Sequence, residues 1–108
     1  MYQIHVFPSE NKKHFLIKIS TFKHTTTLLV TLKMKAKYVK IRILNFADYD
    51  QLDYALKYLE KQLKVKFDTK AIDMMLAKIF YLQNQYPKLC QLNLVLPQTV
   101  FEIPFTPT

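Results

Sequence analysis

The hydrophobic pattern changes period once, near Phe46, and this change constrains the fold more than any other feature of the chain. Before it, apolar and polar residues alternate in four segments: Tyr2 to Phe7, Phe15 to Ser20, Leu28 to Lys37 and Tyr38 to Leu44. A period of two with β-branched content is the pattern of half-buried strands. After it, Leu52, Ala55, Leu56, Leu59 and Leu63 recur at helical spacing. Asp48 with Gln51 three residues on reads as a capping box and predicts a first helix over about Tyr49 to Lys64. Asp68 is an N-cap residue for a second helix, Thr69 to Gln85, which Pro87 ends. The tail alternates again in Leu89 to Leu96 and in Thr99 to Phe105, with Pro104 marking an edge or an end because proline cannot donate to a ladder.

These elements predict an α+β fold. A four-stranded antiparallel meander is followed by two helices packed on its apolar face, then by one or two C-terminal strands. A chain of 108 residues supports one core, so residues 1–108 form a single domain. It divides into a basic meander (1–45), a helical pair (46–87) and a C-terminal strand and tail (88–108).

The apolar face of the meander is predicted to carry Ile4, Val6, Phe15, Ile17, Ile19, Val30, Leu32, Met34, Val39, Ile41 and Ile43. Core residues oppose core residues when Val6 faces Phe15, Ile17 faces Val30, and Met34 faces Ile41. On the outer face the same register sets Lys33 opposite Arg42 and Lys35 opposite Lys40. Leu16, Leu29 and Leu44 fall on that face too and call for cover, for which the C-terminal segment is the candidate. Two-residue hairpins favour Gly or Asn, and neither Lys23-His24 nor Lys37-Tyr38 supplies them, so longer turns are predicted. The apolar residues of the second helix cover more than one stripe, which calls for a further packing partner. A second copy is one such partner, and an exposed strand is another route to a homodimer.

The net charge of +8 lies entirely in residues 1–45, where eight lysines and Arg42 face a single acid, Glu10. The remaining residues balance seven lysines with seven acids. Alternating lysine is a common way to solvate the outside of a sheet, but such a face normally mixes glutamate with lysine. A one-signed face creates a local positive potential that attracts anions. Lysine outnumbers arginine fifteen to one. Lysine meets phosphates as a mobile point charge, whereas reading base edges leans on arginine's planar fork.

Other chemistry has little support. The chain has no glycine, which argues against phosphate loops and nucleophile elbows, whose backbones need it. His5, His14 and His24 lie apart from most of the acids, and zinc sites normally carry three or four protein ligands, so no metal, cofactor or catalytic residue is expected. Cys90 stands alone in an apolar pattern, as a small buried hydrophobe would. The lone cysteine, the short apolar runs and an N-terminus that opens on alternation predict a cytoplasmic protein without a membrane partner.

The expected function is a small non-enzymatic binding module. Its lysine-rich sheet face contacts DNA or RNA phosphates without strong sequence specificity. Lys33, Lys35, Lys40 and Arg42 are the central candidates, with Lys12, Lys13, Lys18 and Lys37 at the margin and His14 beside Lys33. The alternative is a phage- or plasmid-type inhibitor or regulator that binds a host nucleic-acid-processing complex, its basic face set against an acidic protein or ribonucleoprotein surface.

Overall fold

The computed structural model describes residues 1–108 as one six-stranded antiparallel sheet with two main helices. Strands β1 (Gln3–Pro8), β2 (His14–Ser20), β3 (Thr25–Lys33) and β4 (Tyr38–Asn45) form the meander. Helix α1 (Tyr49–Leu63), the short strand β5 (Val65–Phe67) and helix α2 (Thr69–Gln85) follow. A short helix α3 (Pro87–Gln91), a 3-10 turn at Leu96–Gln98 and strand β6 (Val100–Pro107) complete the chain. The strand order is β1-β2-β3-β4-β6-β5, so the last strand enters the sheet between β4 and β5.

The core lies between the sheet and the helices. Ile17, Ile19, Leu28, Val30, Val39, Ile41 and Ile43 project from the meander onto Leu52, Ala55, Leu56 and Leu59 of α1 and onto Met75, Ile79 and Leu82 of α2. Phe101, Ile103 and Phe105 extend the same apolar face along β6. The predicted faces hold except at Met34, but the predicted pairings shift by even numbers of residues. Val6 pairs with Ile17, Ile17 with Leu28, and Ile41 with Val30. An even slip keeps every side chain on its face, so face matching alone could not exclude it. Leu28 therefore joins the core, while Met34 lies exposed in the turn Met34–Lys37.

Helix α1 begins where predicted, and its cap shows how it is fixed. The Asp48 carboxylate accepts from Gln51 N–H at 2.7 Å. The reciprocal half of a capping box is missing, because the Gln51 side chain turns inward. It is fully buried, accepts from Thr26 Oγ1 at 2.7 Å and donates to the His24 carbonyl at 3.1 Å. Thr26 Oγ1 in turn accepts from Ala47 N–H at 2.9 Å. This network ties the β2–β3 turn to the start of α1 without leaving a buried side-chain polar atom unpaired.

Residues Leu89 to Leu96, expected as a strand, instead form the end of α3, a turn and the start of the 3-10 segment. Pro87 stands at the start of α3, where its missing N–H costs nothing. Asn93 adopts φ 57°, which breaks any extended run. Cys90 is half-buried on this helix and its thiol donates to the Leu82 carbonyl at 3.3 Å. The Thr99–Phe105 segment is a strand as expected. Pro104 marks neither an edge strand nor a strand end: it lies inside β6, paired with Tyr38 of β4. Its missing N–H is tolerated because on the other side β5 has already ended, where its carbonyl accepts from Asp68 N–H.

The hairpin connections span residues 9–13, 21–24 and 34–37, longer than two residues as predicted. In the absence of glycine, left-handed backbone falls on Lys12, Lys37, Lys64 and Asn93, with φ between 56° and 58°. Each lysine there costs about 1 kcal/mol against the glycine that usually fills such a position. Helix α2 packs on one side only. Phe80 and Tyr81 on its far side are more than half exposed, as is Met74, which borders the groove between α2 and β6. No helix is long and apolar enough to cross a membrane.

Candidate functional site

Both helices lie on one face of the sheet, so the outer face of the meander is open, and the strand registers fix what it displays. One row crosses five strands as Phe7, Leu16, Leu29, Arg42 and Val100. The next row toward the β3–β4 turn runs His14, Thr31, Lys40 and Glu102. Lys33 and Tyr38 form the row beyond it. The predicted cross-strand pairs of Lys33 with Arg42 and of Lys35 with Lys40 therefore do not form. Lys40 stands opposite Thr31, and Arg42 opposite Leu29. The cations are staggered over successive rows, which lessens the repulsion that direct pairing would impose.

The stagger encloses a concavity of about 380 Å³ lined by His14, Leu29, Thr31, Lys33, Lys40, Arg42 and Val100. Four of the nine predicted site residues meet there. Thr31 Oγ1 is 3.0 Å from His14 Nδ1 and orients the imidazole along the face. Lys12 and Lys13 lie in the β1–β2 turn, and Lys35 and Lys37 in the β3–β4 turn, next to the concavity. Lys18 lies apart from them, paired with His5, and its ammonium stands 5.9 Å from the Phe7 ring centroid.

Glu102 is the one acid that the strand registers bring onto this face, and sequence reasoning missed it because β4–β6 pairing joins residues some sixty positions apart. It stands across from Lys40, yet the single ion pair of the chain is elsewhere, Lys66 Nζ to Glu60 Oε2 at 4.0 Å. Val100 reached the concavity by the same pairing and was equally invisible. Thr31 and Leu29 were legible from the parity of β3. Glu102→Gln is expected to raise affinity for a polyanion about two- to fivefold at low salt, the effect of one partly screened charge. Titration of both proteins against one labelled oligonucleotide reads this directly.

The expected cover over Leu16, Leu29 and Leu44 is absent, because the C-terminal segment lies within the sheet and not upon it. Leu16 and Leu29 stay half-buried, and Phe7 and Val100 exposed, beside the cations. The opposite end of the molecule is different in charge. Asp48 and Asp50 lie near Tyr2, whose phenol is held above its ordinary value first by desolvation and then by these two carboxylates. Tyr2 packs edge-on against Tyr54 with ring centroids 5.2 Å apart. His5 and His14 do not converge with Glu10, and no group of three His, Cys, Asp or Glu side chains is arranged to hold a metal.

Chemically, the arrangement is a cationic surface on a two-layer α+β domain: ammonium groups, one guanidinium and an imidazole held by Thr31 around a shallow depression that Leu29 and Val100 also line. Compared with known proteins, the chain matches no family model, no curated protein and no solved structure.

Proposed function

We propose that this protein is a non-enzymatic module that binds the phosphate backbone of DNA or RNA through the outer face of its meander. The observation that carries the proposal is the concavity in which Lys33, Lys40, Arg42 and His14 meet with no ion-pair partner. Cations held together with one unpaired acid, Glu102, beside them are stabilised by an incoming polyanion, which relieves their mutual repulsion and releases its own counterions. The near absence of arginine favours contacts with phosphate oxygens over the reading of base edges.

A second reading has one observation in its favour. Phe7, Leu16, Leu29 and Val100 flank the cations, and a purely phosphate-binding face has no need of such a row. An acidic protein or ribonucleoprotein surface with an apolar strip fits it, as for an inhibitor of a nucleic-acid-processing complex. Binding to a labelled 20-nucleotide single strand and to its duplex, measured from 50 to 200 mM salt, separates the two. Four phosphate contacts predict a fall in affinity of about a hundredfold over that range. If no binding occurs at 50 mM salt, the nucleic-acid reading is wrong and the protein-surface reading takes its place.

A further inference from the structure

Three chain segments that are distant in sequence bring left-handed lysines to one end of the sheet. Lys12 lies in the β1–β2 turn, Lys37 ends the β3–β4 turn, and Lys64 caps the C-terminus of α1. Backbone hydrogen bonds establish the common end. Lys13 O accepts from Leu32 N–H near the end of β3, and Lys37 O accepts from Phe105 N–H. Lys64 O accepts from Thr108 N–H, one step past the pairing of Val65 with Pro107. Lys13, Lys35 and Lys61 accompany them, all exposed, and Glu10 is the one acid in these turns. Lys66 is excluded, because Glu60 already faces it.

The choice of residue is informative. At its fourth left-handed position the chain uses Asn93, and asparagine is the usual residue there after glycine because its short side chain tolerates this backbone. The chain thus has this solution at hand, yet carries lysine at the three positions that share the basic end. Backbone cost accepted at several places in one region points to a use for the side chain.

We infer that Lys12, Lys37 and Lys64 are phosphate contacts, and that the nucleic-acid footprint continues from the outer face over this end of the sheet. The inference rests on the phosphate-binding reading above and extends it to α1, on the other side of the sheet. From the strand order and a strand spacing of about 4.8 Å, the three stations are spaced by roughly 10 and 12 Å. Together they span about 22 Å, or roughly six nucleotide steps of one strand at 3.4 Å rise.

The test is the triple variant Lys12→Asn/Lys37→Asn/Lys64→Asn, with Lys70→Asn/Lys78→Asn/Lys88→Asn as a control of equal net charge. Both are titrated with a labelled 20-nucleotide single strand and with its duplex across a salt series, and both are melted. The expected result is a melting temperature equal to or above that of the wild type, with the log–log salt slope reduced by about 2 to 3. The control should change the slope by less than about 1. Loss of slope on the duplex alone identifies a duplex ligand, and loss on the single strand alone a single-stranded one. A wild type that binds with a slope the triple variant leaves unchanged overturns the rim and leaves the outer-face reading standing. Equal losses in variant and control also overturn it, since net charge then explains the effect. A wild type that fails to bind at 50 mM salt overturns both. Should the triple variant unfold, each single Asn variant is expected to lower the slope by about 0.7 to 0.9, and no change in any of them rejects the inference.

Discussion

Reversing Lys33, Lys40 and Arg42 to glutamate together is expected to lower nucleic-acid affinity more than a hundredfold at about 0.1 M salt, because three contacts become three repulsions. The three side chains come from two adjacent strands and converge on one concavity. Their loss should therefore act as a unit and not as three independent surface changes. The fold should survive, since Lys33 and Arg42 are exposed and Lys40 is half-buried. Exposed substitutions usually change stability by no more than about 0.5 kcal/mol each. Reversal of Lys70, Lys78 and Lys88 removes the same net charge from the α2 and α3 region, and should weaken binding far less. Fluorescence anisotropy with one oligonucleotide and a thermal melt of each protein are sufficient. If both reversals weaken binding equally, the attraction is one of net charge and the concavity has no special part in it.

Gln51→Leu is expected to give the largest loss of stability from a single polar substitution, about 2 kcal/mol. The side chain is fully buried and makes two hydrogen bonds that cross from α1 to the β2–β3 region. Removing it leaves the buried Thr26 hydroxyl proton without an acceptor, while the His24 carbonyl loses one donor but keeps Thr21 N–H at 2.8 Å. Each buried group so orphaned costs about 1–3 kcal/mol. In a domain of this size the change corresponds to a fall in Tm on the order of 8 °C or more. Adding Thr26→Val should not recover the loss, because the Thr26 hydroxyl also accepts from Ala47 N–H, which the second substitution orphans in its turn. Urea unfolding of the single and double variants measures both effects. A loss under 1 kcal/mol for Gln51→Leu would mean that water replaces the amide and that the network is not closed.

The same residues show where sequence reading succeeds and where it stops. The faces of β1 to β4 were legible because alternation reports burial directly, and Ile17, Val30 and Ile41 are all fully buried as read. Their pairing partners were not, because a two-residue slip preserves every face and only the turns decide it. The four-residue turn after Lys33 took Met34 and Lys35 out of the ladder and thereby undid both predicted cation pairs. Asp48 was legible as a cap, but nothing local shows that Gln51 turns inward, since its partners lie 25 and 27 residues away. At the site, His14, Lys33, Lys40 and Arg42 could be grouped from parity and charge. Glu102 and Val100 could not, because their place depends on β6 entering the sheet beside β4. The misread tail is the converse case. Leu89 to Leu96 alternates like a strand, but Pro87 starts a helical turn and Asn93 reverses the chain.

The position of β6 also has a consequence for how the chain is made. The residues Val100–Pro107 leave the ribosome after every element they pair with. Until then β4 has an open edge, β5 has no neighbour, and the apolar face lacks Phe101, Ile103 and Phe105. Val39 must wait for Ile103. The nascent meander is thus a sheet with two unpaired edges, the type of intermediate that chaperones hold and that aggregates when it is not held. Completion pairs residues far apart in sequence, a contact pattern that slows folding in general. Like-charged lysines crowd the turns of the unfinished sheet, and their mutual repulsion opposes the docking of one such chain on another, so a charge proposed for a partner has a second use during synthesis.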